Sequence, residues 1–180
     1  MEGINQPFAI WIMGPTSSGK TTLSEKLVGV LRSNDVQVMH FDGDEVRNFF
    51  PEDMGFRPED RLRVVDTICH LANKCVDAGV NVVVSALTAN ENARNRAFSC
   101  VKNLAVVYID CPIETCMQRD PKGLYKKAAA GEIDTLAGYN TPYEAPARYE
   151  IGVDTSVLSP DQAVQAIIEG LAGCRLRNPA

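Results

Sequence analysis

The sequence predicts an α/β fold in which helices cover both faces of a parallel sheet. Short apolar, β-branched runs alternate along the chain with longer amphipathic stretches, a pattern typical of such sheets. The 180 residues are 45% hydrophobic and 23% charged, so the chain can bury a sizeable core without a disulfide or a metal to stabilise it. We therefore expect a single domain over residues 1–180.

Five segments have the composition of strands. The first is continuously apolar and ends at Gly14, as expected of a strand that is buried on both faces. The fifth has the weakest pattern. The predicted strands are Phe8–Met13, Val36–Phe41, Val80–Ser85, Leu104–Asp110 and Ile151–Thr155.

Helices are predicted between these strands. Apolar residues recur at helical spacing from Lys20 to Arg32, and again from Pro58 to a capping glycine at Gly79. The polar segment between the third and fourth strands is expected to be helical as well. Ser159-Pro-Asp-Gln162 supplies an N-cap serine, a first-turn proline and a glutamine three residues on, so a C-terminal helix should run from there to about Cys174.

The segment from Asp120 to Pro146 has a different composition. It is rich in glycine and proline, it carries Lys122, Lys126 and Lys127, and it lacks a sustained apolar face. These features predict a mobile lid with one short helix.

Charge and cysteine usage exclude several classes of protein. The 18 basic and 23 acidic residues give a net charge of -5, which does not favour binding to nucleic acid or to an anionic membrane. No apolar run approaches the roughly 20 residues of a membrane span, and the N-terminus lacks the features of a signal peptide, so a cytoplasmic protein is predicted. The six cysteines form no Cys-x-x-Cys pair and only two histidines accompany them, which favours buried free thiols over a zinc site.

A phosphate-binding motif lies between the first strand and the first helix. Gly14-Pro-Thr-Ser-Ser-Gly-Lys-Thr21 matches G-x-x-x-x-G-K-[ST], the signature of P-loop NTPase folds. The glycines let backbone amides converge on phosphate oxygens, Lys20 can neutralise the β- and γ-phosphates, and the Thr21 hydroxyl can bind magnesium. The expected ATP-binding residues of this segment are Gly14, Pro15, Thr16, Ser17, Ser18, Gly19, Lys20, Thr21 and Thr22.

A second polar motif indicates how the nucleotide is used. Asp42-Gly-Asp44 follows the second strand, at the sheet edge where such folds bind ligands, and Arg47 lies close behind. A carboxylate there can accept a hydroxyl proton or hold magnesium, and an arginine can hold an anionic acceptor. The alternative is structural, with Asp42 forming a turn and Asp44 capping a helix. A guanine-nucleotide switch is not predicted, because Asn73-Lys-Cys-Val76 lacks the required aspartate and lies within a helix.

In their order along the chain, these motifs resemble those of the adenylylsulfate kinases. The most specific match is the lid run Asp-Pro-Lys-Gly-Leu-Tyr-Lys-Lys. The segments that carry the resemblance are Gly14 to Thr21, Asp42-Gly-Asp-Glu-Val-Arg47, Gly55-Phe-Arg-Pro-Glu-Asp-Arg61, Asp77-Ala-Gly79, Arg119-Asp-Pro-Lys-Gly-Leu-Tyr-Lys-Lys-Ala128 and Pro142-Tyr-Glu-Ala-Pro146.

The resemblance implies a P-loop kinase fold with a five-stranded parallel sheet and a lid over about residues 120–146. It implies transfer of the γ-phosphoryl group of MgATP to the 3′-hydroxyl of adenylylsulfate, a small nucleotide-linked acceptor, with ATP and Mg2+ as cofactors. It also implies a homodimer.

Matched position by position, the resemblance assigns roles to individual residues. Lys20 and Asp44 are the expected catalytic residues, Thr21 and Asp44 the metal ligands, and Arg119 and Lys122 further ATP-binding residues. The expected acceptor-binding residues are Asp42, Arg47, Phe56, Arg61, Thr88, Lys127 and Leu136.

The departures from the family pattern fall on the acceptor side. Val64 stands where the family has asparagine, Glu91 where it has a cation, and Leu136 where it has an aromatic ring, although Thr88 keeps a hydroxyl and Arg94 keeps an arginine. Base stacking on an aromatic ring contributes about 1–3 kcal/mol, so these changes should weaken acceptor binding.

Three functions therefore remain open from the sequence. The chain is a diverged adenylylsulfate kinase, or it phosphorylates another nucleotide-linked acceptor such as cytidine diphosphoramidate in capsule phosphoramidate synthesis, or it is a regulatory module that binds ATP without transferring it.

Overall fold

A five-stranded parallel sheet forms the centre of the molecule. The computed structural model describes residues 6–51 and 54–179, and within them the strand order is β2-β3-β1-β4-β5 with every pair parallel. This confirms the predicted sheet. The strands are β1 Ala9–Met13, β2 Val38–Asp42, β3 Asn81–Ser85, β4 Leu104–Asp110 and β5 Ile151–Asp154.

Helices follow each of the strands. The predicted capping box at the start of the last helix is present, with Ser159 and Gln162 bonded reciprocally. Gly79 follows the end of the long helix with a φ of 84°, a left-handed conformation that suits glycine. The helices are α1 Lys20–Ser33, α2 Gly43–Arg47, α3 Pro58–Asp77, α4 Glu91–Cys100, α5 Ile113–Arg119, α6 Leu124–Ala129 and α7 Pro160–Ala172.

The core consists of two apolar layers that share the sheet. Every residue of β1 is completely buried. Ile10 and Ile12 face the layer to which α1 and α7 contribute, whereas Trp11 and Met13 face the layer to which α3 and α4 contribute. Burial on both faces explains why the first predicted strand is a continuous apolar run rather than an alternating one.

The cysteines are free thiols with unequal exposure. Cys69, Cys111 and Cys116 are buried, and the other three are half-buried. Burial raises the pKa of Cys69 and of Cys116 to about 12, so these thiols stay protonated. Within the described ranges, no helix combines the length and the apolar composition that a membrane span requires.

The segment after β3 is fixed in an unusual conformation at the carboxyl edge of the sheet. Thr88 has a φ of 45°, which is rare for a β-branched residue. Its hydroxyl accepts a hydrogen bond of 3.0 Å from the buried indole Nε1 of Trp11. The Arg94 guanidinium, 4% exposed, donates to the carbonyl oxygens of Thr88, Ala89 and Glu144 at 2.9–3.2 Å. The loop is therefore held by the core beneath it and by α4 beside it.

We expect Thr88→Val to lower the free energy of unfolding by about 1–3 kcal/mol, because it leaves the buried Trp11 indole N–H without an acceptor. Urea denaturation measures the loss. The exposed Thr141→Val serves as the control and should change stability by less than about 0.5 kcal/mol. Equal losses in the two variants would contradict a special role for the Trp11–Thr88 bond.

Candidate active site

A cleft of about 850 Å³ lies at the carboxyl edge of the sheet. The P-loop (14–21) and α2 form its floor, α3 forms one wall, and the lid segment (120–146) forms the other. Parallel sheets bind their ligands at this edge, because the loops that follow the strands converge there. The P-loop motif and the Asp42-Gly-Asp44 motif, which lie more than twenty residues apart in the sequence, thereby share one cavity.

The P-loop has the close-packed backbone that its glycines predict. A Cβ atom on Gly14 would lie only 2.9 Å from the carbonyl oxygen of Ile109. Gly19 has a φ of 99° as it leads into α1, and Ser17 has a φ of 62°. The Ser18 hydroxyl is buried and has no hydrogen-bond partner in the described part of the chain.

The Lys20 ammonium is folded back onto its own loop. Its Nζ donates to the carbonyl oxygens of Gly14, at 3.1 Å, and Pro15, at 2.7 Å. Burial lowers the pKa of Lys20 to about 8, and the nearby carboxylate of Asp44 opposes part of that shift. Lys20 therefore keeps most of its charge at neutral pH, and its present partners are neutral carbonyls that an anion can replace.

Asp42, the last residue of β2, connects the P-loop with the end of β3. Its Oδ1 accepts from the backbone N–H of Asp44 at 2.8 Å, and its Oδ2 accepts from the hydroxyls of Ser85, at 2.7 Å, and Thr21, at 2.9 Å. Burial opposes ionisation, but these hydrogen bonds outweigh it and hold the pKa of the carboxyl below its usual value. Asp42 caps α2, so the helix-capping alternative applies to Asp42 and not to Asp44.

Asp44 points into the cleft and contacts the lid. Its side chain is 73% exposed, and one of its oxygens lies 2.5 Å from the Nζ of Lys122. The hydrogen bond from Lys122 to this carboxylate raises the pKa of Lys122. Thr21 and Asp44, the predicted metal ligands, both line the cleft, and the Thr21 hydroxyl donates to Asp42.

An aromatic ring with two arginines beside it lines the part of the cleft where the sequence predicts the acceptor. The guanidinium carbon of Arg47 lies 4.5 Å from the centre of the Phe56 ring, and that of Arg61 lies 5.7 Å from it. Arg47 also donates to the carbonyl of Gly55 at 2.7 Å, and Arg61 donates to the lid carbonyl of Thr135 at 3.0 Å. Phe56 is 52% exposed, so part of the ring is accessible to a ligand.

Apolar side chains line the wall around this ring. Val64 and Leu136 are both buried and both border the cleft. Glu91 lies on the exposed face of α4 and is not among the residues that line the cleft, so its carboxylate does not oppose an anionic acceptor there. The wall is therefore apolar at Val64 and Leu136, and the nearby lid carboxylates that line the cleft are those of Glu132 and Asp134.

The structure does not support three of the expected acceptor contacts. Thr88 borders the cleft, but its hydroxyl is already bonded to Trp11 in the core. Lys127 is exposed on α6 and does not line the cleft, because the register of this short helix directs it outwards. Asp42 is likewise occupied by its structural bonds.

Arg119 borders the cleft at the base of the lid, where the sequence predicts an ATP-binding residue. Its guanidinium donates to both the hydroxyl and the carbonyl oxygen of Thr155, which directly follows β5. Thr155 in turn donates to the carbonyl of Ser18 at 2.8 Å. Arg119 therefore reaches the P-loop through one intervening residue.

Comparison with known proteins identifies the family. The model of the family described as adenylylsulphate kinase matches residues 6–154. The chain belongs to the adenylylsulphate kinase family. It is 38% identical over 164 residues to the adenylyl-sulfate kinase of Oceanobacillus iheyensis, which covers 90% of this chain and 82% of the relative. It is 37% identical over 168 residues to the probable adenylyl-sulfate kinase of Pyrococcus abyssi, covering 93% of this chain and 94% of the relative.

Solved structures agree with this assignment. The Mycobacterium tuberculosis APS kinase in complex with AMPPNP and APS superposes with a TM-score of 0.87 at 29% identity, covering 92% of this chain and 98% of that one. A gluconokinase from Sinorhizobium meliloti shares the fold alone, with a TM-score of 0.62 at 18% identity.

Sequence reasoning missed three residues that line the cleft or contact the P-loop. Ser85 and Thr155 lie at the carboxyl ends of β3 and β5, and Tyr125 lies in the lid helix. The position after a parallel strand could have identified the first two, since that edge is where ligands bind. The only signal for Tyr125 is its place within the lid run.

We expect Asp42→Asn to lower the free energy of unfolding by about 1–3 kcal/mol, because an amide nitrogen cannot accept the hydroxyl hydrogen bonds that reach Oδ2. Asp44→Asn should change stability by less than about 0.5 kcal/mol, because that side chain is exposed. Urea titrations of both variants test this contrast. It fails if Asp44→Asn is the more destabilising change.

Proposed function

We propose that this chain transfers the γ-phosphoryl group of ATP to the 3′-hydroxyl of adenylylsulfate, which yields 3′-phosphoadenylylsulfate. The observation that carries the proposal is the cleft itself, which holds the P-loop at one end, Phe56 between two arginines at the other, and Asp44 between them. The curated relatives, which are named adenylyl-sulfate kinases, support this acceptor over the cytidine-linked alternative.

The donor half of the cleft fits a magnesium–nucleotide complex. The close approach at Gly14 leaves room for phosphate oxygens beside the backbone, and the buried Ser18 hydroxyl lacks a partner among the described residues. Thr21 and Asp44 offer the oxygen atoms that Mg2+ prefers. When bound, the ion supplies positive charge that neutralises the phosphates during transfer.

Three cations are placed to bind the donor phosphates. Lys20 can exchange its two carbonyl partners for phosphate oxygens, and the N-terminus of α1 adds a partial positive charge. Lys122 and Arg119 reach the cleft from the lid and from its base. Catalysis of phosphoryl transfer consists largely of such positioning and charge neutralisation.

Asp44 is placed to orient the acceptor hydroxyl. Its carboxylate is exposed within the cleft, and its contact with Lys122 is an exchangeable ion pair rather than a buried structural one. The carboxylate can accept the proton of the attacking hydroxyl while Lys122 neutralises nearby charge. A module that only binds ATP would not require an accessible carboxylate at this point.

The acceptor base stacks on Phe56, and Arg47 and Arg61 provide positive charge for the anionic part of the acceptor. Val64 and Leu136 cover the base with apolar surface. A homodimer, a cytoplasmic location and a single domain over residues 1–180 stay predictions from the sequence.

The direct test is ADP release from MgATP with adenylylsulfate, run in parallel with a cytidine diphosphate-linked acceptor and with no acceptor. We expect saturable turnover of MgATP when adenylylsulfate is the acceptor, and none with the cytidine-linked acceptor or without an acceptor. Asp44→Asn should reduce the rate by about 100-fold or more, since loss of a positioned proton acceptor costs 10²–10⁴-fold. Lys20→Ala should reduce it by a similar factor, because it removes a positive charge from the transferred phosphate. Turnover with the cytidine acceptor only, or near-normal turnover of Asp44→Asn, would contradict the proposal.

Phe56 tests the acceptor half separately. Phe56→Ala should raise the KM for adenylylsulfate by about 5- to 150-fold, which corresponds to the 1–3 kcal/mol of a stacked base. The KM for ATP should not change. Phe56→Leu is the matched control, because it keeps apolar bulk without a ring and should recover only part of the loss. An equal rise in both KM values would show a general disturbance of the cleft instead.

A further inference from the structure

Two hydroxyl groups from outside the P-loop motif bind its carbonyl oxygens. The Tyr125 hydroxyl, on lid helix α6, donates to the carbonyl of Thr16 at 3.1 Å. The Thr155 hydroxyl, just after β5, donates to the carbonyl of Ser18 at 2.8 Å. Both side chains are uncharged.

Peptide geometry gives these two bonds a consequence inside the cleft. The carbonyl of Thr16 shares a peptide unit with the N–H of Ser17, and the carbonyl of Ser18 shares one with the N–H of Gly19. In a planar trans unit, the C=O and the N–H point in opposite directions. Ser17 and Gly19 both line the cleft. A hydroxyl that fixes the carbonyl on one side of such a unit therefore fixes the direction of the N–H on the other.

We propose that Tyr125 and Thr155 are positioning residues of the phosphate site, because they hold two P-loop peptide units with their N–H groups directed to the donor phosphates. The proposal rests on the proposed function only in that the cleft binds ATP. It does not depend on which acceptor is phosphorylated.

The Tyr125 hydroxyl is itself firmly placed. The residue is buried, and its backbone N–H donates to the Asp120 carboxylate at 3.2 Å. Its ring packs edge-to-face against Tyr139, with the ring centres 6.2 Å apart. Burial raises the pKa of Tyr125, so the hydroxyl keeps its proton and remains a donor. One hydrogen bond thereby connects the lid helix to the donor site.

The Thr155 hydroxyl has only one direction in which it can donate. Its oxygen accepts a hydrogen bond of 3.2 Å from Arg119, which leaves its single hydrogen for the Ser18 carbonyl. Thr155 is buried, so water does not compete freely for either bond. Arg119 thus supports the P-loop through Thr155 in addition to bordering the cleft.

These two hydroxyls differ from the other partner of the P-loop carbonyls. Lys20 binds the carbonyls of Gly14 and Pro15, but the proposed function requires its ammonium to move to the phosphates. Tyr125 and Thr155 are neutral and are not needed by the phosphates themselves. They can therefore hold the loop both before and after the nucleotide binds, which reduces the reorganisation that binding requires.

The test measures MgATP binding by titration calorimetry, without any acceptor present. Tyr125→Phe and Thr155→Val each remove one hydroxyl, and each should raise the Kd of MgATP by about 2- to 10-fold, as expected for a neutral hydrogen bond. Thr155→Ser keeps both hydrogen bonds and should bind MgATP as the wild type does. Tyr139→Phe is the control, because it removes a hydroxyl from the ring that packs on Tyr125 without removing a bond to the P-loop. It should leave the Kd of MgATP unchanged.

Adenosine separates positioning from a general structural effect, because it carries no phosphate. Its affinity, measured by ligand-observed NMR, should be the same in Tyr125→Phe, Thr155→Val and the wild type. The proposal is overturned if both hydroxyl-deleted variants bind MgATP normally, if adenosine binding weakens as much as MgATP binding, or if Thr155→Ser fails to restore affinity.

The two proposals fail in different ways. Normal MgATP binding without turnover of adenylylsulfate would contradict the proposed function and leave the positioning roles standing. Turnover of adenylylsulfate with unchanged MgATP affinity in Tyr125→Phe and Thr155→Val would contradict the positioning roles alone. A wild type that does not bind MgATP would overturn both.

Discussion

The Asp42 carboxylate is the point at which the separate parts of the site are joined. It lies at the end of β2, accepts the hydroxyls of Thr21 from α1 and Ser85 from β3, and caps the helix that carries Asp44. Burial opposes ionisation of this carboxylate, and the hydrogen bonds from its three donors hold its pKa below the usual value. The distance between the donor and acceptor halves of the cleft therefore depends on a side chain that needs to contact neither substrate.

The lid run can now be explained residue by residue. Asp120 accepts from the backbone N–H groups of Tyr125 and Lys126, so it caps the lid helix. Lys122 reaches Asp44, and Tyr125 reaches the carbonyl of Thr16. Three residues of one short segment thus contact three different places: the helix itself, the Asp44 carboxylate and the P-loop. A generic loop has no reason to carry these residue types at this spacing.

Much of the fold could be predicted from the sequence, because the periodicity of buried residues is a local property. The β1 strand is buried on both faces and reads as an uninterrupted apolar run, and α1 and α7 keep apolar residues at helical spacing beside clear capping signals. The helix α2 was not predicted, because five residues contain too little of a period to be recognised. The P-loop could be predicted because its glycines, its lysine and its threonine lie together in one continuous motif.

Side-chain direction at the site could not be predicted in the same way. Asp42 and Asp44 are two residues apart, and which of them caps the helix and which enters the cleft depends on where β2 ends. Thr88 keeps the hydroxyl that the family pattern requires, but its left-handed backbone and the buried Trp11 direct that hydroxyl into the core. Glu91 and Lys127 do not line the cleft, because the register of their helices places each of them on an exposed face.

The apolar residues Val64 and Leu136 in the predicted acceptor wall can also be explained by burial and packing. Leu136 and Val64 are buried beside Phe56, so they can cover an adenine base with apolar surface even though neither offers a second ring. Apolar burial contributes about 25 cal/mol for each Å², which replaces part of the stacking energy but none of its directionality. Because these side chains would contact the base in the ground state and in the transition state alike, their substitution is a change in uniform binding. Under the proposed function, substitutions in this wall therefore alter the acceptor concentration at which the enzyme works, whereas substitutions at Asp44 and Lys20 alter the rate of transfer.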